Sequence, residues 1–392
     1  MKAAIMKCSI LLLLILFFNM AHAEKSEAER RIQKEFVVKA DGFLSVDNRY
    51  GKIDIAIGES NQIKMEVVIK VRAGSDKKAQ ESLDRISIDI SQSGNRVSAS
   101  TSVSSTSSWS SWFDSGNVEM EINYNILVPA DIFLELRQKY GSIFVETTNR
   151  DLRIDLSYGD LRLGDINAKL SLEMAYSDGN MSRINNGELV LSYSDLEMED
   201  AEAVKVDMKY TDLVMGSAKR ASITTAYSDF RGIDIYDLTY RGKYDDVSVE
   251  RVQTIDMESA YSGMRIGGLS SHGHFDMRYG DLQVSNIAAG FSRLDINTSY
   301  TGVKLRFLPG ASFTIDAQNN YCPINHHDLR VSEDIQKAGS SILKASKGTG
   351  GGLIMARMNY GELSNCPPGP RRGGAPPPRP GGPGAPPQAN IE

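Results

Sequence analysis

The sequence predicts an all-β fold: a right-handed parallel β-solenoid whose two-sheet coils take about 17–18 residues, preceded by a β-rich cap with one short helix. Three observations carry this. A tyrosine recurs at an almost fixed interval, as Tyr140, Tyr158, Tyr176, Tyr193, Tyr210, Tyr227, Tyr244, Tyr261, Tyr279, Tyr300 and Tyr321. It sits in a repeated phrase, LSYGDLRL around Tyr158, LSYSDLEM around Tyr193 and MRYGDLQV around Tyr279. Apolar residues between the tyrosines alternate, as in Leu152, Ile154 and Leu156, or Val204, Val206 and Met208. Period two means strand with one buried face.

Residues 1–23 read as an export signal: Lys2 and Lys7, then an apolar run from Ile10 to Phe18, then Ala21-His22-Ala23 as a cleavage site. The run is too short to span a bilayer, and no later segment is a transmembrane candidate. Cys8 precedes the run, which argues against lipoprotein-type attachment. An exported chain in the periplasm, at the outer membrane or outside the cell is expected. Lys+Arg number 44 and Asp+Glu 50, a net charge of −6. Removal of Lys2 and Lys7 with the signal leaves 42 against 50, or −8. That balance disfavours nucleic acid as a partner.

Residues 24–139 are read as a cap fused to the first coil. The phrase around Tyr50 already belongs to the repeat, and strands are expected at 63–71, 86–90 and 118–128. Ser75 is positioned to cap a short helix with Ala79, Leu83 and Ile86 on one face. Within the cap, the serine-rich stretch 97–117 carries Trp109, Trp112 and Phe113 at the tip of a long loop, a candidate contact site.

Coils occupy 140–321. Alternation puts each tyrosine in phase with the apolar set, so the rings are expected to point inward as a stacked filling of the core edge. Seventeen residues span about 56 Å of contour, enough for two strands of five to seven residues and two turns. Ten steps from Tyr140 to Tyr321 give a column of about 48 Å. Residues 322–365 are expected to close the fold with a helix over 332–345 and a final copy around Tyr360. The Pro/Gly/Arg-rich segment 366–392 lacks the apolar residues for a core. Cys322 and Cys366 are a candidate disulfide, although stacking of Tyr360 on Tyr321 would hold them well over about 10 Å apart.

No serine-nucleophile, phosphate-cradling or zinc-hydrolase motif is present in the sequence. No cofactor is expected. The acid two residues after seven of the tyrosines (Asp160, Asp178, Asp195, Asp212, Asp229, Asp246 and Asp281) would stack about 5 Å apart, in a column that Gly263 and Gly302 interrupt. The first five are weak calcium candidates, because hard cations favour carboxylate oxygens but want six or more ligands. Corner-favouring aspartate is the plainer reading. His272 and His274, read as loop residues, and His326, His327 and Asp328 near Cys322 match no standard metal spacing.

The stretches KEFVVKADGFLSVDNRYGKIDIAIGESNQIKMEV and KAQESLDRISIDISQSGNRVSAS, with the YGD/YSD copies, resemble a bacterial family of exported adhesin-like proteins with β-strand repeats. The head domains of adhesin-type autotransporters are related to it. The resemblance covers most of 33–365 and implies a β-solenoid beyond the cytoplasmic membrane. It transfers no catalytic residue, and the family's adhesin label is itself inferential. The serine-rich tryptophan loop and the Pro/Gly-rich tail depart from its pattern. The expected function is a non-catalytic envelope or surface scaffold binding a glycan or an envelope protein. The alternatives are a polysaccharide-cleaving β-helix enzyme and an envelope-stress sensor acting through a protein partner.

Overall fold

The computed structural model describes residues 25–59, 61–104, 118–321, 324–325 and 328–365. The expected signal, the tryptophan loop tip, Cys322, Cys366, His326, His327 and the Pro/Gly-rich tail lie outside them. No described helix is long and apolar enough to cross a membrane.

The chain forms a β-solenoid of about 10 turns. Its central coils are long bent strands, β9 (Asp160–Ala175), β10 (Asp178–Ser192), β11 (Asp195–Lys209), β12 (Asp212–Ala226), β13 (Asp229–Lys243) and β14 (Asp246–Ala260), each pairing in parallel with the next. In β11, Leu196 and Met198 face the core from one wall, while Val204, Val206 and Met208 face it from the other. Ala201 is the single inward residue of a short step between them. The same places are held by Leu213, Met215, Ala218, Ala221 and Ile223 in β12, so like residues stack on like and one core runs the length of the rod.

The cap holds the expected helix and strands, but residues 97–103, expected as the start of the serine-rich loop, are strand, because the preceding segment 86–93 pairs with them as a hairpin. The helix, here α1 (Asp76–Leu83), starts at Ser75, whose hydroxyl accepts from the amide of Lys78 at 3.4 Å, and it buries Ala79 and Leu83. It packs on β1 (Ser26–Val37) and β3 (Gln62–Ala73). β3 also pairs antiparallel with β6 (Val118–Val128), and β4 (Ile86–Ser93) forms a hairpin with β5 (Arg96–Val103). β2 (Phe43–Ile57) is the first coil and pairs in parallel with β7 (Phe133–Thr148), Phe43 opposite Phe133, across the intervening cap residues 58–132.

The far end differs from expectation in two ways. Residues 332–345 form no helix. They belong to a hairpin of β19 (Arg330–Lys337) and β20 (Ser340–Lys347), turning at Ala338-Gly339 with Gly339 at φ 80°. Gly339 supplies the positive φ of a tight turn, and β20 pairs with β17 (Phe313–Asn320), so sheet pairing overrode the weak helical pattern. The copy around Tyr360 is also not stacked last. β21 (Gly352–Asn359) lies between β16 (Arg293–Phe307) and β17, parallel to both. The chain therefore leaves one coil-sized slot at 308–312 and fills it later with its final coil.

Candidate binding edge

The tyrosine column is where the structure most clearly corrects the sequence reading. Tyr140, Tyr158, Tyr176, Tyr193, Tyr210, Tyr227, Tyr244, Tyr261, Tyr279, Tyr300, Tyr321 and Tyr360 are 44–64% exposed, so the rings stand on the outside of the rod. Each has φ between 50° and 61°, the left-handed region, as does Tyr50. That backbone turn breaks the strand parity one residue earlier than alternation suggests. The ring swings outward, and the small residue after it turns in: Ser177, Ser194, Thr211, Ser228 and Ser262 are all buried.

The corner is hydrogen-bonded throughout. The Ser194 hydroxyl donates to the Ser192 carbonyl at 2.9 Å and accepts from the Ser177 amide at 3.2 Å. Ser228 repeats this with Ala226 at 3.1 Å and Thr211 at 3.1 Å. Tyrosine amides donate across coils, Tyr176 to Ser192 and Tyr193 to Lys209, both at 3.0 Å. A left-handed, non-glycine residue costs roughly 1–2 kcal/mol. Ring stacking offsets it, because an aromatic pair contributes about 0.5–1.5 kcal/mol and an interior ring has two neighbours.

Stacking is continuous. Neighbouring ring centroids lie 4.8–5.5 Å apart with interplanar angles of 1–22°. The column begins at Tyr50 on Tyr140 and ends in the order Tyr300, Tyr360, Tyr321. Tyr50 and Tyr360, read from the sequence as copies of the repeat, extend the column beyond Tyr140 and into the gap between Tyr300 and Tyr321.

A row of aspartates flanks the rings on one side and spaced cations flank them on the other. On one side stand the aspartates at the start of each coil, Asp178, Asp195, Asp212, Asp229 and Asp246, in mutual register and exposed, with Asp160 below them. Partial burial, then the neighbouring aspartates, raise the carboxyls of Asp178 and Asp212 above the ordinary range. Asp246 pairs with Arg265 at 2.7 Å. The row supplies one carboxylate per rung. Among the described residues, no three His, Cys, Asp or Glu side chains are grouped so as to hold a metal ion. On the other side, the residue before each tyrosine ends the second wall; it is an exposed cation at Lys139, Lys209, Lys243 and Arg278 and a small residue at Ser157, Ala175, Ser192, Ala226 and Ala260. The Lys139 ammonium lies 5.0 Å from the Tyr140 ring centroid.

One coil breaks the serine pattern. Asp245 occupies the buried position, accepting from the Tyr240 hydroxyl at 2.9 Å, from Thr225 at 3.0 Å and from the Ser228 amide at 3.0 Å. Burial raises its carboxyl, and these donors hold it lower than burial alone would. Burial, followed by the Asp245 charge, pushes the Tyr240 hydroxyl up strongly. In the cap, Asn48, Gln138, Thr101 and Tyr124 form a comparable buried network, and burial pushes the Tyr124 hydroxyl up to about 12.

The step opposite the tyrosines is a shallower, mixed surface. A groove of ≈ 610 Å³ runs over Arg183, Asp200, Lys219 and Asp234, crossed by ion pairs of Arg183 with Asp200 at 3.5 Å and of Lys219 with Glu202 at 2.8 Å. His272 and His274 are not in a loop but in β15 (Gly263–Ile287), because the neighbouring coils on both sides recruit that segment as a rung. His274 is in register with Asp295, whose carboxyl is lowered first by Arg293 and only weakly by the two histidines. Asp328 lies in a turn at φ 66°.

No family model and no curated protein matches the chain. Several solved structures are similar to it. One is a protein of Parabacteroides distasonis ATCC 8503 named for an inferred lipid-binding role, at 12% identity, covering 61% of this chain and 94% of its own, with TM-score 0.36. Another, of Clostridium sporogenes ATCC 15579, is named for an inferred role in cell adhesion, at 10% identity, 86% and 99% coverage, and TM-score 0.17. A third, of Parabacteroides merdae ATCC 43184, is named as an inferred adhesin, at 8% identity, 70% and 92% coverage, and TM-score 0.27.

Proposed function

We propose that the chain is an exported, non-catalytic binding scaffold of the bacterial envelope or cell surface, and that the tyrosine edge is its binding face. The observation that carries this reading is the exposure of a continuous aromatic column. At about 100 Å² for each half-exposed ring, twelve rings offer on the order of 1,200 Å² of contiguous aromatic surface. The largest apolar patch on a typical soluble monomer is about 300–600 Å², and larger ones mark contact sites. The solenoid holds this surface rigid, because every corner is fixed by backbone bonds to both neighbouring coils.

Supporting the non-catalytic part, the chemistry along the edge is uniform from rung to rung. Cleaving a polysaccharide needs a local pair of carboxyl groups in distinct environments on one face. Asp245, which breaks the corner pattern, is buried beneath the edge. The test is binding of the purified chain, from residue 24 onward, to envelope fractions and glycan arrays. Retention that is lost when Tyr193, Tyr210 and Tyr227 are replaced by asparagine is the expected outcome. Retention unchanged by those replacements, or turnover of a polysaccharide, would contradict the reading.

A further inference from the structure

The tyrosine edge also indicates what it meets. We propose that its partner is the same edge of a second copy of this chain, two rods lying side by side and parallel with their tyrosine columns in contact. This rests on the edge being the binding face and adds the occupant.

Three observations argue for it. First, ring faces are covered by their own neighbours at 4.8–5.5 Å, so what remains exposed is a line of ring edges and hydroxyls. Such a line offers no flat platform for a sugar ring or a nucleobase to stack on. It does offer hydroxyls that act as donor and acceptor alike, at a rise that only an object with the same repeat matches along its length. A second copy has that repeat by construction.

Second, the area is sufficient. One copy exposes on the order of 1,200 Å² of ring surface, so burying about two thirds of it reaches the roughly 800 Å² per partner of a standard stable interface.

Third, the flanking charges fix one orientation. The aspartate row lies on one side of the rings and the basic residues Lys209 and Lys243 on the other. A two-fold axis parallel to the rod places the Asp195 and Asp212 side of one copy against the Lys209 and Lys243 side of the other, and the reverse. A two-fold axis across the rod sets aspartates against aspartates, and like charges then oppose association. The contact is isologous, so it closes as a dimer instead of growing into a fibre.

The orientation makes a strong test possible. One variant carries D195K, D212K and D229K, so both its flanks are basic. The other carries K209E and K243E, so both its flanks are acidic. Sedimentation equilibrium at low salt should show the native chain as a dimer, each variant alone as a monomer, and their equimolar mixture as a heterodimer. A third variant, with Tyr193→Asn, Tyr210→Asn and Tyr227→Asn, keeps residues that tolerate the left-handed backbone. It should retain a native circular dichroism spectrum and associate about 100-fold more weakly. A native chain that stays monomeric at about 100 µM, many times a micromolar Kd, would overturn the proposal. So would a dimer that the folded tyrosine variant leaves intact, or charge variants whose mixture does not pair. If the monomeric chain still binds envelope material through its tyrosines, only the self-pairing is lost and the binding edge stands.

Discussion

The two ends of each coil are built from the same length of chain and solve the turn differently. At the tyrosine corner the backbone enters the left-handed region at rung after rung, the side chain is constant, and among the described residues a hydroxyl, a glycine or, once, the buried Asp245 follows. At the opposite step the inward residue changes size from rung to rung, Ile184 to Ala201 to Ala218 to Ile235, and the outward residues vary from Arg183 to Asp200 to Ser217. The corner is held by directional bonds and stacked rings, each dependent on the rung above and below. The step is held by the core beneath it, and its ion pairs sit in water. The corner should therefore tolerate few residues, and the step many.

Breaking the corner's close approach should have the largest effect. A Cβ on Gly159 would fall 1.7 Å from the Gly141 carbonyl oxygen. Gly159→Val should cost about 3 kcal/mol or more in chemical denaturation, since backbone cannot yield as a flexible side chain does. Next comes a pair of substitutions at one tyrosine. Tyr227→Val combines a β-branched residue in the left-handed region with loss of two ring contacts, and should cost about 2–4 kcal/mol. Tyr227→Asn loses the same contacts but suits the backbone, and should cost about 1 kcal/mol less than the valine variant. Equal costs for the two would mean that backbone conformation contributes nothing at the corner.

A smaller effect should appear on titration. Asp245 has a folded pKa raised above its unfolded value, so folding favours its protonated form. Its contribution is least unfavourable at acid pH, and stability is lost as pH rises through the interval from the ordinary carboxylate value to the raised one. Asp178 and Asp212 act in the same sense. Glu66, Glu119, Glu188 and Asp295, with lowered pKa values, act in the opposite sense. The comparison that isolates Asp245 is Tyr240→Phe, which removes one of its donors. The variant should lose more stability between acid and neutral pH than the native chain, measured as the thermal midpoint across the series. An identical pH profile would contradict the assigned bond. The smallest effect belongs to the step: Lys219→Ala breaks an exposed pair with Glu202 and should shift stability by no more than about 0.5 kcal/mol.

Repeat length, strand character, the cap's helix and the parallel stacking were legible in the sequence because each rests on a local period or a local capping signal. The direction of the tyrosine rings was not, because alternation carries the phase of a strand only until the backbone changes region. Ser177 and its equivalents held the clue, since a conserved-size small polar residue immediately after the aromatic fits a buried corner better than an exposed one. The order Tyr300, Tyr360, Tyr321 was equally hidden: a spacing of 21 residues between Tyr300 and Tyr321 says nothing about a coil inserted from 352–365. The helix expected over 332–345 failed for a related reason, as β17 offered an open edge that β20 could pair with.

The exposure of the column is tested most directly by nitration of tyrosine on the folded chain, held dilute enough to be monomeric, with each site read by mass spectrometry. Tyr158, Tyr193, Tyr227 and Tyr261 should be modified along with the exposed Tyr236, while the buried Tyr124 and Tyr240 stay protected. Column tyrosines as protected as Tyr124 would mean that the rings face the core, and would contradict the account of the edge.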